Sequence, residues 1–215
     1  MLTPRRNTFA SAPPSAALLR AEAERAGKVR IIGGSLRNSR LPVLDRGGLR
    51  PTPDRVRETL FNWLAPTLEG ARCLDLYAGS GALGIEALSR GAARVDFVES
   101  DRDLAENLRE QLTRLQVADR AQVRNLSCEA FLRDAPTQPF EIVFLDPPYP
   151  AQAWSAALSA LTANAWLRPG ALIYVEWPHP RRPPLPDGLT WWRESRAGLV
   201  GYGLAHTARV ADGFV

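Results

Sequence analysis

"CLDLYAGSGALGIEAL", residues 73–88, decides the architecture. An apolar run carrying one carboxylate, Asp75, gives way to a glycine-rich turn and then to a helical pattern. Gly79-Ser80-Gly81-Ala82-Leu83-Gly84 matches G-x-G-x-x-G, the spacing by which a strand turns tightly into a helix whose backbone can approach a ligand. The alternation continues outward. RVDFVES (94–100), AQVRNL (121–126), FEIVFLD (140–146) and ALIYVEW (171–177) read as strands, with helical stretches at 101–117, 128–134 and 153–167 between them. Buried strands alternating with helices predict an open α/β sheet, mostly parallel and covered on both faces. LTWWRESR (189–196) and LVGYGLAHTARV (199–210) predict a terminal antiparallel hairpin at one edge.

Ahead of this core, KVRIIGGSLRNSRLPV (28–43) reads as two short strands around Gly33-Gly34. Thr52 is suited to cap a helix and Pro53 to begin it, with Val56, Leu60, Trp63 and Leu64 on one face. The expected organisation is a loosely held arm at 1–27, a basic hairpin and helix at 28–69, a catalytic domain at 70–209 and a tail at 210–215.

The chain of 215 residues has a net charge of +4, unevenly spread. Residues 1–60 hold 12 Arg/Lys against 5 Asp/Glu, and the remainder is net acidic. A basic end on a mildly acidic body is the footprint of a polyanion partner. Arg30, Arg37, Arg40, Arg50, Arg55 and Arg57 are the candidate phosphate contacts. No apolar run approaches the roughly 20 residues a bilayer-spanning helix needs, and the N-terminus lacks the apolar stretch of a secretory signal. Cys73 and Cys128 read as core thiols, which fits a reducing cytoplasm. Two His and two Cys without ligand spacing predict no metal.

The glycine turn alone leaves the cofactor open, because a nicotinamide dinucleotide would also suit it. Asp75 favours a different ligand. A carboxylate four residues before Gly79 would repel a pyrophosphate, whereas S-adenosylmethionine has no phosphate and carries a sulfonium and an ammonium. On that reading Asp75, Tyr77, Ala78, Gly79, Ser80 and Gly81 face the methionine portion. Glu99, with Ser100, takes the ribose hydroxyls, and Ser127 and Cys128 border the adenine. Structural roles compete with these: Asp75 as a cap on the following helix, Glu99 as a charge at a helix N-terminus.

EIVFLDPPYP (141–150) supplies the chemistry. The strand delivers Asp146, Pro147, Pro148 and Tyr149 to its C-terminal end, beside the strand that ends at Asp75. An exocyclic amine on a base is a poor nucleophile because its lone pair is delocalised into the ring. Hydrogen bonds from the amine to Asp146 and to the Pro147 carbonyl would localise that pair, with the prolines fixing the backbone. Tyr149 offers a flat face, and stacking a base on it contributes about 1–3 kcal/mol. A strand terminator followed by a packed aromatic is the plain structural alternative.

DLYAGSGALGIEALSRGA, FLDPPY, VRIIGGSLRNSRLPV and LRPTPDRVRETLFNWLAP together resemble the RsmD family of bacterial 16S rRNA guanine-N2 methyltransferases, over about residues 28–205. The resemblance implies a Rossmann-like seven-stranded sheet and S-adenosylmethionine as donor, leaving S-adenosylhomocysteine. It also implies a guanine of 16S rRNA as target, within a partly assembled small subunit. A monomer is expected. A DNA adenine-N6 or cytosine-N4 methyltransferase would use the same Asp-Pro-Pro-Tyr, but little chain outside the core is left to read DNA. A nicotinamide-dependent oxidoreductase and a silent RNA-binding protein are the remaining alternatives.

Overall fold

The computed structural model describes residues 27–44, 52–147 and 153–208. Seven strands form the main sheet: β3 (Arg72–Asp75), β4 (Arg94–Val98), β5 (Ala121–Arg124), β6 (Phe140–Leu145), β7 (Leu167–Pro178), β8 (Leu189–Ala197) and β9 (Val200–Thr207). Their order is β5-β4-β3-β6-β7-β9-β8. The first five pair in parallel, and β9 runs antiparallel to β7 with β8 at the edge, which is the terminal hairpin the sequence predicts.

Order reverses between β3 and β6, which are hydrogen-bonded neighbours although far apart in the chain. In open α/β sheets such a switch point opens a crevice outside the carboxyl ends of the strands. Asp75 pairs with Phe144, so Asp146 leaves the sheet beside the end of β3.

Five helices are described: α1 (Asp54–Leu68), α2 (Ala82–Ser89), α3 (Arg102–Arg114), α4 (Cys128–Phe131) and α5 (Ala153–Ala163). Two apolar clusters cover the sheet. One gathers α1 and α2 around Cys73, Phe97, Phe144 and Tyr174; the other gathers α5 around Leu74, Val143, Ile173 and Trp177. Along β3, β6 and β7 the residues alternate between clusters, the period-two signature of a sheet buried on both faces. Among the described residues no helix is long and apolar enough to cross a membrane.

The N-terminal hairpin is smaller than its sequence suggests. β1 (Lys28–Arg30) and β2 (Arg40–Pro42) pair through only three residues, joined by a loop rather than a tight turn. The loop folds back onto the end of α2, where Ser35 N donates to Ser89 O at 2.8 Å. Gly34 has φ +75°, and a Cβ there would lie 1.9 Å from that same carbonyl. Only glycine permits both the backbone and the approach.

Candidate active site

The glycine turn is held by its own backbone and by the neighbouring strand. Gly81 N donates to Ala78 O at 2.7 Å, and Ala78 N to Val98 O at 3.0 Å. Gly81 stands at φ +75° as the N-cap of α2, where a Cβ would meet Leu108 Cδ1 at 2.4 Å. Glu99, just past β4, is buried and braces the turn: Oε2 accepts from Gly79 N and Oε1 from Asp101 N, both at 2.8 Å. A carboxylate oxygen accepts more than one hydrogen bond, so acceptor capacity is left for a ligand's hydroxyls. Asn125, absent from the sequence reading, fixes this strand end by donating to the carbonyls of Glu99 and Ser100 at 2.8 and 3.0 Å.

Asp75 takes the structural role the sequence offered and keeps capacity beyond it. Its Oδ2 accepts from Gly84 N at 3.0 Å, in the first turn of α2. Its other oxygen has no hydrogen bond among the described residues. Burial pushes the Asp75 carboxyl up to about 7; the Gly84 amide opposes the rise and Glu99 adds to it.

Asp146 lies one residue past β6 and keeps part of its surface exposed. Its desolvated setting, then Glu176 and Asp75, raise its carboxyl well above the ordinary range, and the Thr52 hydroxyl opposes this. Thr52 corrects a sequence expectation. Helix α1 begins at Asp54 with Pro53 as N-cap and no side-chain cap, while Thr52 Oγ1 reaches Glu176 Oε1 at 2.7 Å and Asp146 Oδ2 at 3.3 Å. Glu176 itself escaped the sequence reading. The available signal was a single acid inside the apolar run of β7, the same signature that drew attention to Asp75.

Asp75, Asp146 and Glu176 therefore stand at the ends of three adjacent strands, β3, β6 and β7. None forms an ion pair with Arg or Lys among the described residues. Acids packed together without a cation raise one another's proton affinity, and such a site is complementary to a cationic ligand. S-adenosylmethionine fits on those grounds: Asp75 would hold its ammonium, Glu99 its ribose, and the Gly79–Gly81 turn would leave room for it.

The adenine end is less polar than expected. Ser127 Oγ accepts from Ala130 N at 3.2 Å and is occupied as the cap of α4. Cys128 is buried in the second apolar cluster, where burial lifts its thiol to about 11. The Tyr77 hydroxyl is buried, and among the described residues only the Cys128 thiol stands beside it as a weak partner. Burial, then the Cys128 thiol beside it, raises its phenol far above the usual value. Ser80 and Ala78 are buried within the turn and Ser100 is exposed.

Of the candidate phosphate contacts, Arg30, Arg37, Arg40 and Arg55 are exposed. Arg57 is not, and its assignment as an RNA contact is withdrawn. Its side chain is fully buried, donating to Asp54 Oδ1 at 2.6 Å and to the carbonyls of Arg30 and Thr52 at 2.8 and 3.3 Å. Pro147 is buried at the strand exit. Pro148, Tyr149 and Arg50 lie outside the described residues.

A family model described as conserved hypothetical protein 95 matches residues 29–205. Ribosomal RNA small subunit methyltransferase D of Haemophilus influenzae is 47% identical over 180 residues, 83% of this chain and 93% of that one. Its Escherichia coli counterpart is 48% identical over 179 residues, 83% and 89% of the two chains. The chain belongs to the RsmD family. A solved structure, the E. coli protein yhhF, superposes with a TM-score of 0.78 at 44% identity, covering 85% of this chain and 99% of that one. The match takes in the hairpin that docks on α2 as well as the glycine turn. Membership thus rests on more than the cofactor fold.

Proposed function

We propose that this RsmD-family chain transfers a methyl group from S-adenosylmethionine to the exocyclic N2 of a guanine in 16S rRNA. The observation that carries it is the placement of Asp146 beside Asp75, at the switch point and next to the glycine turn. The names of the close relatives point to the small-subunit ribosomal RNA.

S-adenosylmethionine, when bound, supplies an electrophilic methyl on a cationic sulfur. Asp146 accepts a hydrogen bond from the target amine, which leaves the nitrogen lone pair localised and reactive. The Pro147 carbonyl takes the second N–H. Asp146 then receives the proton that the methylated nitrogen loses, so the positive charge developing there faces a carboxylate throughout. Tyr149 stacks the base. The exposed arginines of the hairpin and α1 hold flanking phosphates. The enzyme acts in the cytoplasm as a monomer, on a partly assembled small subunit whose folded RNA presents the target loop.

Methyl transfer assayed on free 16S rRNA, on partly assembled subunits and on duplex DNA, with mass mapping of the product, tests this. Transfer is expected to a guanine of the assembled particle. Asp146→Ala is expected to lower kcat about 10²–10⁴-fold while S-adenosylmethionine still binds. Efficient methylation of duplex DNA, or full turnover by Asp146→Ala, would overturn the assignment.

A further inference from the structure

Asp146, one residue past β6, stands beside Glu176, which is still within β7 and pairs with Tyr202 of β9. β6 and β7 pair in parallel with Leu145 opposite Val175, and the next residue on each strand is a carboxylate. Glu176 is buried, and the Trp154 indole fixes its backbone by donating to its carbonyl at 2.7 Å. Its Oε1 receives the Tyr174 hydroxyl at 2.8 Å and lies 2.7 Å from Thr52 Oγ1. Thr52 sits between the two acids, with Asp146 Oδ2 3.3 Å away on its other side.

Hydrogen counting constrains this arrangement. A threonine hydroxyl has one proton and so can donate to only one of the two acids. Tyr174 spends its single proton on Glu176. The 3.3 Å contact to Asp146 lies beyond the usual O–H···O range, and it closes as a hydrogen bond of its own where that carboxyl carries a proton and donates to Oγ1. A single proton shared across Asp146, Thr52 and Glu176 would satisfy all three contacts. The surroundings agree: Asp75 faces the pair from β3 with Glu99 behind it, Tyr174 from β7 and Tyr202 from β9, and none of these brings a positive charge.

We propose that Asp146 and Glu176, coupled through Thr52, act as a one-proton dyad that is ionised while the site holds the sulfonium and protonated once it does not. The proposal deepens the reading above and rests on it. In turnover the charge balances. The N–C bond forms as the C–S bond breaks, so the sulfur becomes neutral and the nitrogen carries one proton too many. The N–H bond then breaks and the proton passes to Asp146. It is shared with Glu176 as Asp146 gives a proton to Thr52 Oγ1 and Thr52 gives its own to Oε1. One positive charge has left the sulfur and one has reached the dyad, and the buried site stays at the same net charge. Glu176 and Thr52 are positioning residues in this scheme, since both act through Asp146.

Titration calorimetry in buffers of different ionisation enthalpy counts the protons released on binding, with no turnover required. Asp75 faces the ammonium, which S-adenosylmethionine and S-adenosylhomocysteine share, so its contribution cancels between them. The sulfonium alone differs. Near pH 7 the wild-type protein is expected to release about one proton more on binding S-adenosylmethionine than S-adenosylhomocysteine, the stoichiometry of one shared proton. Glu176→Gln keeps an acceptor for Thr52 and Tyr174, and Thr52→Val keeps the shape. Both are expected to bind the two ligands yet lose most of that difference. Equal proton release with tight binding of both ligands by the wild type would overturn the dyad and leave the function standing. Failure to bind either ligand would overturn the function and the dyad with it.

Discussion

Two acidic sites in this molecule live in opposite circumstances. Glu86, on the inner face of α2, is wholly enclosed. It accepts from Ile32 N at 2.7 Å, Gly33 N at 2.8 Å and Arg90 Nε at 2.7 Å, with Arg57 Nη1 3.7 Å away. Both oxygens have donors, and two of the neighbours are cations. The Asp146–Glu176 pair has two hydroxyls, those of Thr52 and Tyr174, and no Arg or Lys paired with it among the described residues. Glu86 is satisfied by the fold and serves it by pinning the hairpin to α2. The pair at the carboxyl ends of β6 and β7 has no such compensation among the described residues, and on the proposed reading a bound cation supplies it. Satisfaction, more than burial, separates structural acids from chemical ones.

The comparison breaks most visibly at Arg57. Replacing it with Leu leaves Glu86 partly uncompensated and strips donors from Asp54 and from the Arg30 and Thr52 carbonyls. Removing one partner of a buried pair costs about 3–5 kcal/mol. Arg57→Leu is expected to lower denaturant stability by that amount and to speed hydrogen exchange at residues 28–42. The salt dependence of RNA binding should stay as in the wild type. A stable variant with a weaker salt dependence would return Arg57 to the RNA interface and undo the contrast.

Arg57 also marks where the sequence stops being legible. The parallel sheet, the switch point and the terminal hairpin are all readable, because strand and helix periodicities are local and the glycine turn has one geometric purpose. Asp75, Glu99 and Asp146 stand out because each ends a strand beside a motif. Charge content, by contrast, says nothing of depth, so Arg57 looks like its exposed neighbours Arg55 and Arg30. Thr52-Pro53-Asp54 is a sound local capping pattern, yet a partner 124 residues away claims the hydroxyl. Glu86 and Glu176 each sit singly in apolar runs, and only the tertiary neighbours tell that one is bound by cations and the other faces an acid.

Asp75 sharpens the comparison from the side of stability. Its folded-state carboxyl titrates near 7, against 3.8 ordinarily, because burial disfavours the charge. A carboxyl raised in the folded state binds protons that the unfolded chain has released, so stability falls as pH rises from about 4 and levels off above about 7. Asp75→Asn removes that loss while still accepting from Gly84. In melting of the cofactor-free protein, the Asp75→Asn variant should gain about 4 kcal/mol at pH 8 and almost nothing near pH 4. The same variant should bind S-adenosylmethionine far more weakly. In the wild type, affinity for S-adenosylhomocysteine, which carries the ammonium but no sulfonium, should fall by up to about tenfold per unit as pH drops below 7, since the ammonium must displace a proton. Equal melting gains at pH 4 and pH 8 would mean that the buried charge is already compensated.

The smallest effects belong to the exposed arginines, and they test the other half of the contrast. Arg37 and Arg40 lie on the loop and second strand of the hairpin, open to solvent and without an ion pair among the described residues, whereas Arg30 is paired with Asp54 at 3.2 Å. A free guanidinium that neutralises one phosphate releases one condensed counterion. Arg37→Ala and Arg40→Ala should therefore each weaken RNA binding a few-fold and flatten the salt dependence by about 0.7–0.9 in slope. Arg30→Ala should do less, because the lost phosphate contact is offset by the pull of Asp54 that already holds the side chain. None should change kcat at saturating RNA, since these groups lie on the hairpin and the proton chemistry is confined to the strand ends. A loss of kcat at Arg37 or Arg40 would mean that the hairpin shapes the catalytic crevice as well as gripping the substrate.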